Sequence, residues 1–236
     1  MDKLLSELVE RLRLSLGDNL VSVILYGSAA AGDHAGPFSD LNVFCAIRQL
    51  DVQDLSAAEG AIRWWRAKGH PSPLLMTVEE MRASTDCFAI EFHDMRERRK
   101  VLFGEDVVAA LEIDDAFYRA RVEYELRAKL LRLRQKAAGV LSDDELLIRL
   151  MKDSVSTFCV LGRHALRLKH GDTPWTKRDI IASLEASFGL SGKPFYTCLD
   201  LREDKLKARQ VDALALFKQY LREVTALTGA VDHLNR

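Results

Sequence analysis

Two short apolar runs, separated by a stretch of small residues, constrain this chain more than any other feature. Val23-Ile24-Leu25-Tyr26 stops at Gly27-Ser28, and Ser39-Asp40-Leu41-Asn42 opens Val43-Phe44-Cys45-Ala46-Ile47. The spacing predicts a strand at 21–27 and a second at 42–48, with the loop between them suited to phosphate. Gly27 permits backbone angles closed to other residues and lets a phosphate approach the main chain. Ser28 offers a hydroxyl donor or a helix cap, and Ala29-Ala30-Ala31 favours a short helix over 28–32. A helix N-terminus presents free N–H groups and the positive end of a dipole, which suits a triphosphate. Gly32, Gly36 and Pro37 break the chain again before the second strand. Positions 40 and 42 are two apart in an extended segment and so share a face. Two carboxylates placed in that way would hold the metal ions of phosphoryl transfer.

This pattern resembles the signature of the nucleotidyltransferase superfamily that includes DNA polymerase β and the antibiotic adenylyltransferases. That signature is Gly-Ser after one strand and Asp-x-Asp at the start of the next. The step of twelve positions from Ser28 to Asp40, between two strand-like runs, carries the likeness. The resemblance implies an α+β fold, with an N-terminal mixed sheet flanked by helices and a C-terminal helical bundle. It implies a nucleoside triphosphate substrate, with transfer of its nucleotidyl group to a hydroxyl acceptor and release of pyrophosphate. Gly27, Ser28 and Ser39 would contact the nucleotide, and Asp40 and Asn42 would stand at a Mg2+ site. A third carboxylate on a later strand would complete the catalytic set. A narrower resemblance joins YGSAAAG…SDLNV to LLMTVEEMRASTDCFAIEFHDMRERRKVLFGED. It is to a group of bacterial nucleotidyltransferase-domain proteins in which Asn is usual at the position of Asn42.

Asn42 departs from the superfamily signature. An amide offers one neutral carbonyl oxygen where a carboxylate offers two charged ones, and hard divalent cations prefer the latter. A site resting on Asp40 alone therefore needs another acid. The third strand-like run, Pro73-Leu74-Leu75-Met76-Thr77, has none. Glu79, Glu80, Glu91 and Asp94 follow it, and Glu91 is preferred because it interrupts an apolar stretch. The competing reading makes Glu91 a helix-surface acid or the partner of Arg96, Arg98 or Arg99.

Composition narrows the class further. The chain has 236 residues, 48% apolar and 29% charged, with a net charge of −1. That length fits one large domain or two small ones, and the charge makes no global case for nucleic acid. Cys45, Cys87, Cys159 and Cys198 show no zinc-ligand spacing, so reduced thiols in a cytoplasmic protein are expected. The N-terminal stretch reads as an amphipathic helix rather than a signal peptide, and no run reaches the ~18 apolar residues of a membrane span.

Further along, helices are expected at 3–16, 55–68, over EEMR and at 86–97, with strands at 73–77 and 101–103. Trp64 and Trp65 are expected to pack in and at the rim of the core. After about residue 114 the pattern is helical throughout: 115–138, a helix from a Ser142–Glu145 capping box to about 169, then 177–188, 194–203, and 209–228 stopped by Gly229. The domains expected are 1–112, nucleotidyltransferase-like, and 113–236, a helical bundle. The basic residues of 115–138 read as a solvated face, and the Arg96–Lys100 run as the better triphosphate contact. His34 reads as a solvated loop residue, and His93, His164 and His170 show no ligand spacing. Three functions compete: a nucleotidyltransferase, a nucleotide-binding relative impaired by Asn42, and an interaction module working through its helices, with a homodimer among its assemblies.

Overall fold

In the computed structural model the described residues are 1–31 and 41–234, the side chains of Ser28 and Ala31 excepted. The chain divides into two compact units, Met1–Ala116 and Phe117–Arg236. The fold is α+β, as the sequence implies: a mixed sheet flanked by helices, then a helical region.

The first unit begins with α1 (Asp2–Leu16), which buries Leu5, Leu8, Val9, Leu12 and Leu16 on one face. That spacing of three and four is the stripe an amphipathic helix presents to a core. β1 (Leu20–Tyr26) and β2 (Asn42–Ile47) pair antiparallel, with Tyr26 opposite Asn42. α2 (Val52–Ala67) starts three residues earlier than expected, because Asp51 and Asp54 form a reciprocal capping box there. Gly69, at φ 89°, follows its end. β3 (Leu74–Thr77) runs parallel to β2. α3 (Val78–Ala83) is capped by Thr77 and Glu80. α4 covers only Ala89–Glu97, since 84–88 form turns. β4 (Arg99–Gly104) returns antiparallel to β1, giving the order β3-β2-β1-β4.

Alternation along the strands sorts the core into two layers. Val23, Leu25, Val43, Cys45 and Ile47 pack with α1 and α2. Trp65 is fully buried there and donates its indole N–H to the Pro71 carbonyl at 2.9 Å, while Trp64 is partly buried at the rim. Ile24, Phe44 and Ala46 pack on the opposite face with Met81, Phe92, Met95 and Val108. Tyr26 is partly buried against that second layer.

The second unit comprises α5 (Tyr118–Ala138), α6 (Asp144–His170), α7 (Lys177–Phe188), α8 (Lys193–Arg202) and α9 (Ala213–Asp232). α6 packs against each of the other four. Gly162 lets α7 approach, since a Cβ there would lie 2.7 Å from Leu184 Cδ1. Tyr220 on α9 meets Phe158 and Phe195 edge-on at 6.0 and 5.4 Å. Four expected boundaries need correction. α5 starts at Tyr118, not 115. The N-cap of α6 is Asp143, whose carboxylate accepts the Leu146 N–H at 2.9 Å, not Ser142. α9 starts at Ala213, after a separate 3-10 turn at Ala208–Gln210, and continues through Gly229 to Asp232. Val231, fully buried, holds that last turn against the bundle.

Candidate functional site

Tyr26 closes β1, and Gly27 follows at φ 79°, a left-handed angle that a side-chain-bearing residue would strain to adopt. Its N–H donates to the Arg98 carbonyl at 3.1 Å, tying the start of the loop to the chain entering β4. The segment Ser28–Ala31 is a single 3-10 turn rather than an α-helical start. Ser39 and Asp40, and the loop residues Gly32, His34, Gly36 and Pro37, lie outside the described residues, as does the Ser28 side chain.

Asn42 opens β2. The pairing Tyr26↔Asn42 and Tyr26↔Arg99 puts these three residues abreast on neighbouring strands. Cross-strand partners project from one face, here the face covered by α3 and α4. A Cβ built on Gly27 would lie 3.5 Å from the Asn42 amide nitrogen, so that amide rests against the first glycine of the loop.

The four acids considered as the third carboxylate separate by geometry. Glu80 is committed to its cap, accepting the Thr77 N–H at 2.7 Å. Glu79 lines an open groove with Val21, Arg48 and Glu105, at the end of the sheet where β1 begins and β2 ends. Asp94 lies half-buried on α4. Glu91 sits in the first turn of α4, and its Oε2 is buried without a hydrogen-bond partner among the described residues. Burial, with Glu91 nearby, pushes the Tyr26 phenol up to about 12, so it stays a neutral hydroxyl at physiological pH. A buried oxygen without a partner is costly to keep, and its place beside the end of β1 needs an explanation. Glu91 lies on a helix, not on a strand as the resemblance implies for the third acid.

Pairing with the basic run does not account for Glu91. Arg99 donates from Nε and Nη2 to Asp106 at 2.8 and 2.9 Å and from Nη1 to the Arg96 carbonyl. Lys100 lies 3.5 Å from Asp2. Arg99 and Lys100 are thus turned to acids of their own unit and away from the triphosphate role read for their run. The basic helix α5 is likewise laced with internal ion pairs: Glu123 takes Arg119 and Arg127, and Glu125 takes Arg121 and Lys129. That agrees with a solvated face.

Three further features emerge only in the fold. Tyr26 reads as part of a strand in the sequence, and its place just before Gly27 and opposite Asn42 is the signal that marks it. His93 is buried, and its Nε2 lies 2.6 Å from an Asp115 oxygen. His164 is buried in the second unit, with its Nδ1 2.6 Å from the Tyr118 hydroxyl. Beside it, the Arg163 guanidinium lies 3.7 Å from the Trp175 ring centroid and is pushed down to about 10 by burial.

Among the described residues no group of three His, Cys, Asp or Glu side chains could hold a metal ion. Mg2+ that arrives on a triphosphate needs only one or two protein carboxylates, because it takes phosphate oxygens as further ligands; the carboxylate expected to hold it, Asp40, lies outside the described residues. Among the described residues no helix is long and apolar enough to cross a membrane.

The sequence matches no protein-family profile and no curated protein. The fold is similar to that of spectinomycin adenyltransferase AAD(9) from Enterococcus faecialis, in its crystal structure with ATP and spectinomycin. The TM-score is 0.61 at 16% identity, over 96% of this chain and 98% of that one.

Proposed function

We propose that this chain transfers a nucleotidyl group from a nucleoside triphosphate to a hydroxyl acceptor. The observation that carries the reading is Glu91, whose buried, unpartnered oxygen lies near the end of the strand leading into Gly27-Ser28. The likeness to a solved adenyltransferase supports the same reading by analogy of fold. In this reading 1–112 form the nucleotidyltransferase-like domain and 113–236 the helical bundle.

Gly27, Ser28 and Ser39 would hold the phosphates, and Asp40 with Asn42 would stand at the Mg2+ position. Mg2+, when bound, neutralises charge on the phosphates and the leaving pyrophosphate. Glu91 takes the proton of the acceptor hydroxyl as its oxygen attacks the α-phosphorus. The new O–P bond forms, the bond from the α-phosphorus to the bridging oxygen breaks, and pyrophosphate leaves with that oxygen. Tyr26 stays neutral beside Glu91 and does not compete for the proton.

Spectinomycin, which the similar structure holds together with ATP, is the first acceptor to offer, with pyrophosphate release from ATP and Mg2+ as the readout. Glu91→Gln is expected to slow release by about 10²–10⁴-fold while leaving ATP affinity close to wild type. A Glu91→Gln protein that turns over at the wild-type rate would remove Glu91 from the mechanism. A second reading, nucleotide binding without transfer, is favoured by Asn42 alone. It predicts triphosphate binding that a chelator leaves unchanged.

A further inference from the structure

We propose that the outer face of α5 is a docking surface for an acidic amphipathic helix of a partner protein. α5 carries two apolar rows. Val122, Leu126, Leu130, Leu133 and Ala137 are buried, where the helix packs on α6 and α9. Phe117 at the N-cap, Tyr124 and Leu131 are instead 63%, 61% and 58% exposed. They stand seven positions apart, so at about 3.6 residues per turn they line up along one side of the helix. The same turn count sets them opposite Leu126 and Leu133. Apolar residues exposed singly need no explanation, but large ones recurring at the heptad spacing form a seam.

Charge selects the occupant. α5 holds seven basic residues and two acids. Glu123 and Glu125 are taken by Arg119, Arg127, Arg121 and Lys129. Further along, Arg132 and Lys136 have no acid partner among the described residues, and Arg134 donates to the Thr225 hydroxyl at 3.2 Å. By helical position Arg121 and Arg132 flank the exposed row on one side, and Arg127 and Arg134 on the other. Arg121 lies over the Tyr124 ring, 5.4 Å from its centroid. A helix that seats apolar side chains on this row and carries carboxylates along its edges would meet these bases, as charged edge positions do in a coiled coil. A second copy of this chain would bring the same basic flanks and be repelled. A lipid surface calls for a broad apolar face, whereas arginines here border a row one side chain wide.

The probe is a fluorescent synthetic peptide about three heptads long, with leucine at its a and d positions and glutamate at e and g. The wild-type protein is expected to bind it saturably, and less tightly as salt is raised. A peptide with lysine in place of each glutamate should not bind. Leu131→Asp should abolish binding, and Arg132→Glu should weaken it about tenfold. Both side chains are exposed, so both variants should match wild type by circular dichroism. Failure of the acidic peptide to bind, equal binding of the lysine peptide, or undiminished binding by Leu131→Asp would overturn the proposal. So would sedimentation showing a dimer that Leu131→Asp splits, or capture by phosphatidylserine-rich vesicles that the same variant abolishes, since each gives the face to a different occupant.

Discussion

Asn42 is a neutral amide resting near Gly27, and Glu91 is a carboxylate carried on a helix at the covered face of the sheet; in the function proposed above, Glu91 does the work of a second acid. The residue scale also shows how charges near this end are settled. Arg99 holds the Asp106 carboxyl below the usual carboxylate range, chiefly by hydrogen bonding. A carboxyl with a depressed folded-state pKa adds stability above its unfolded value, ~3.9, and loses it as pH falls through the folded value. Arg99→Ala is therefore expected to cost less than about 1 kcal/mol at pH 7, because both side chains are partly exposed. The gap from wild type should narrow as pH is lowered from 7 through the folded value. Urea denaturation at pH 7 and in acid checks this, and a gap that does not change would contradict the assignment. Gly27 and Asn42 could be picked out in the sequence because each sits at the edge of an apolar run. The nearness of Glu91 to Tyr26 could not, because residues so far apart in the chain meet only when α4 docks on the sheet.

At the scale of elements, β4 is held to β1 by a very close approach. Gly104 has φ 73°, and a Cβ there would lie 1.9 Å from the Val21 carbonyl oxygen. Gly104→Ala is expected to destabilise by about 2 kcal/mol or more, combining backbone strain with a clash against main chain. Gly60 on α2 has open space around its Cβ position. Gly60→Ala should stabilise by about 0.5–1 kcal/mol through helix propensity. Urea midpoints for the pair would show whether the contrast holds, and equal shifts would contradict it. The strands and most helices are legible in the sequence because their periods differ and glycines punctuate them. Helix ends are less so. Asp143 and Ser142 are both good caps and stand side by side, and Gly229 fails to stop α9 because Val231 gains burial beyond it.

At the scale of the whole molecule, strand patterning in the first unit gives way to five helices in the second, a change visible once alternation ends near residue 114. That α6 becomes the helix all others touch is not legible, since every helix there carries an apolar stripe and only packing ranks them. The same holds for the buried Tyr118, Arg163 and His164 with the half-buried Trp175, which α5, α6 and the segment before α7 bring together. The central claim is that the first unit presents a metal–triphosphate site at the end of β1. Its most direct test is calorimetric titration of a non-hydrolysable ATP analogue into the wild-type protein and Asp40→Ala, with Mg2+ and then with a chelator. The account predicts binding that requires Mg2+ and is strongly weakened in Asp40→Ala. Binding that is indifferent to both the chelator and the substitution would contradict it.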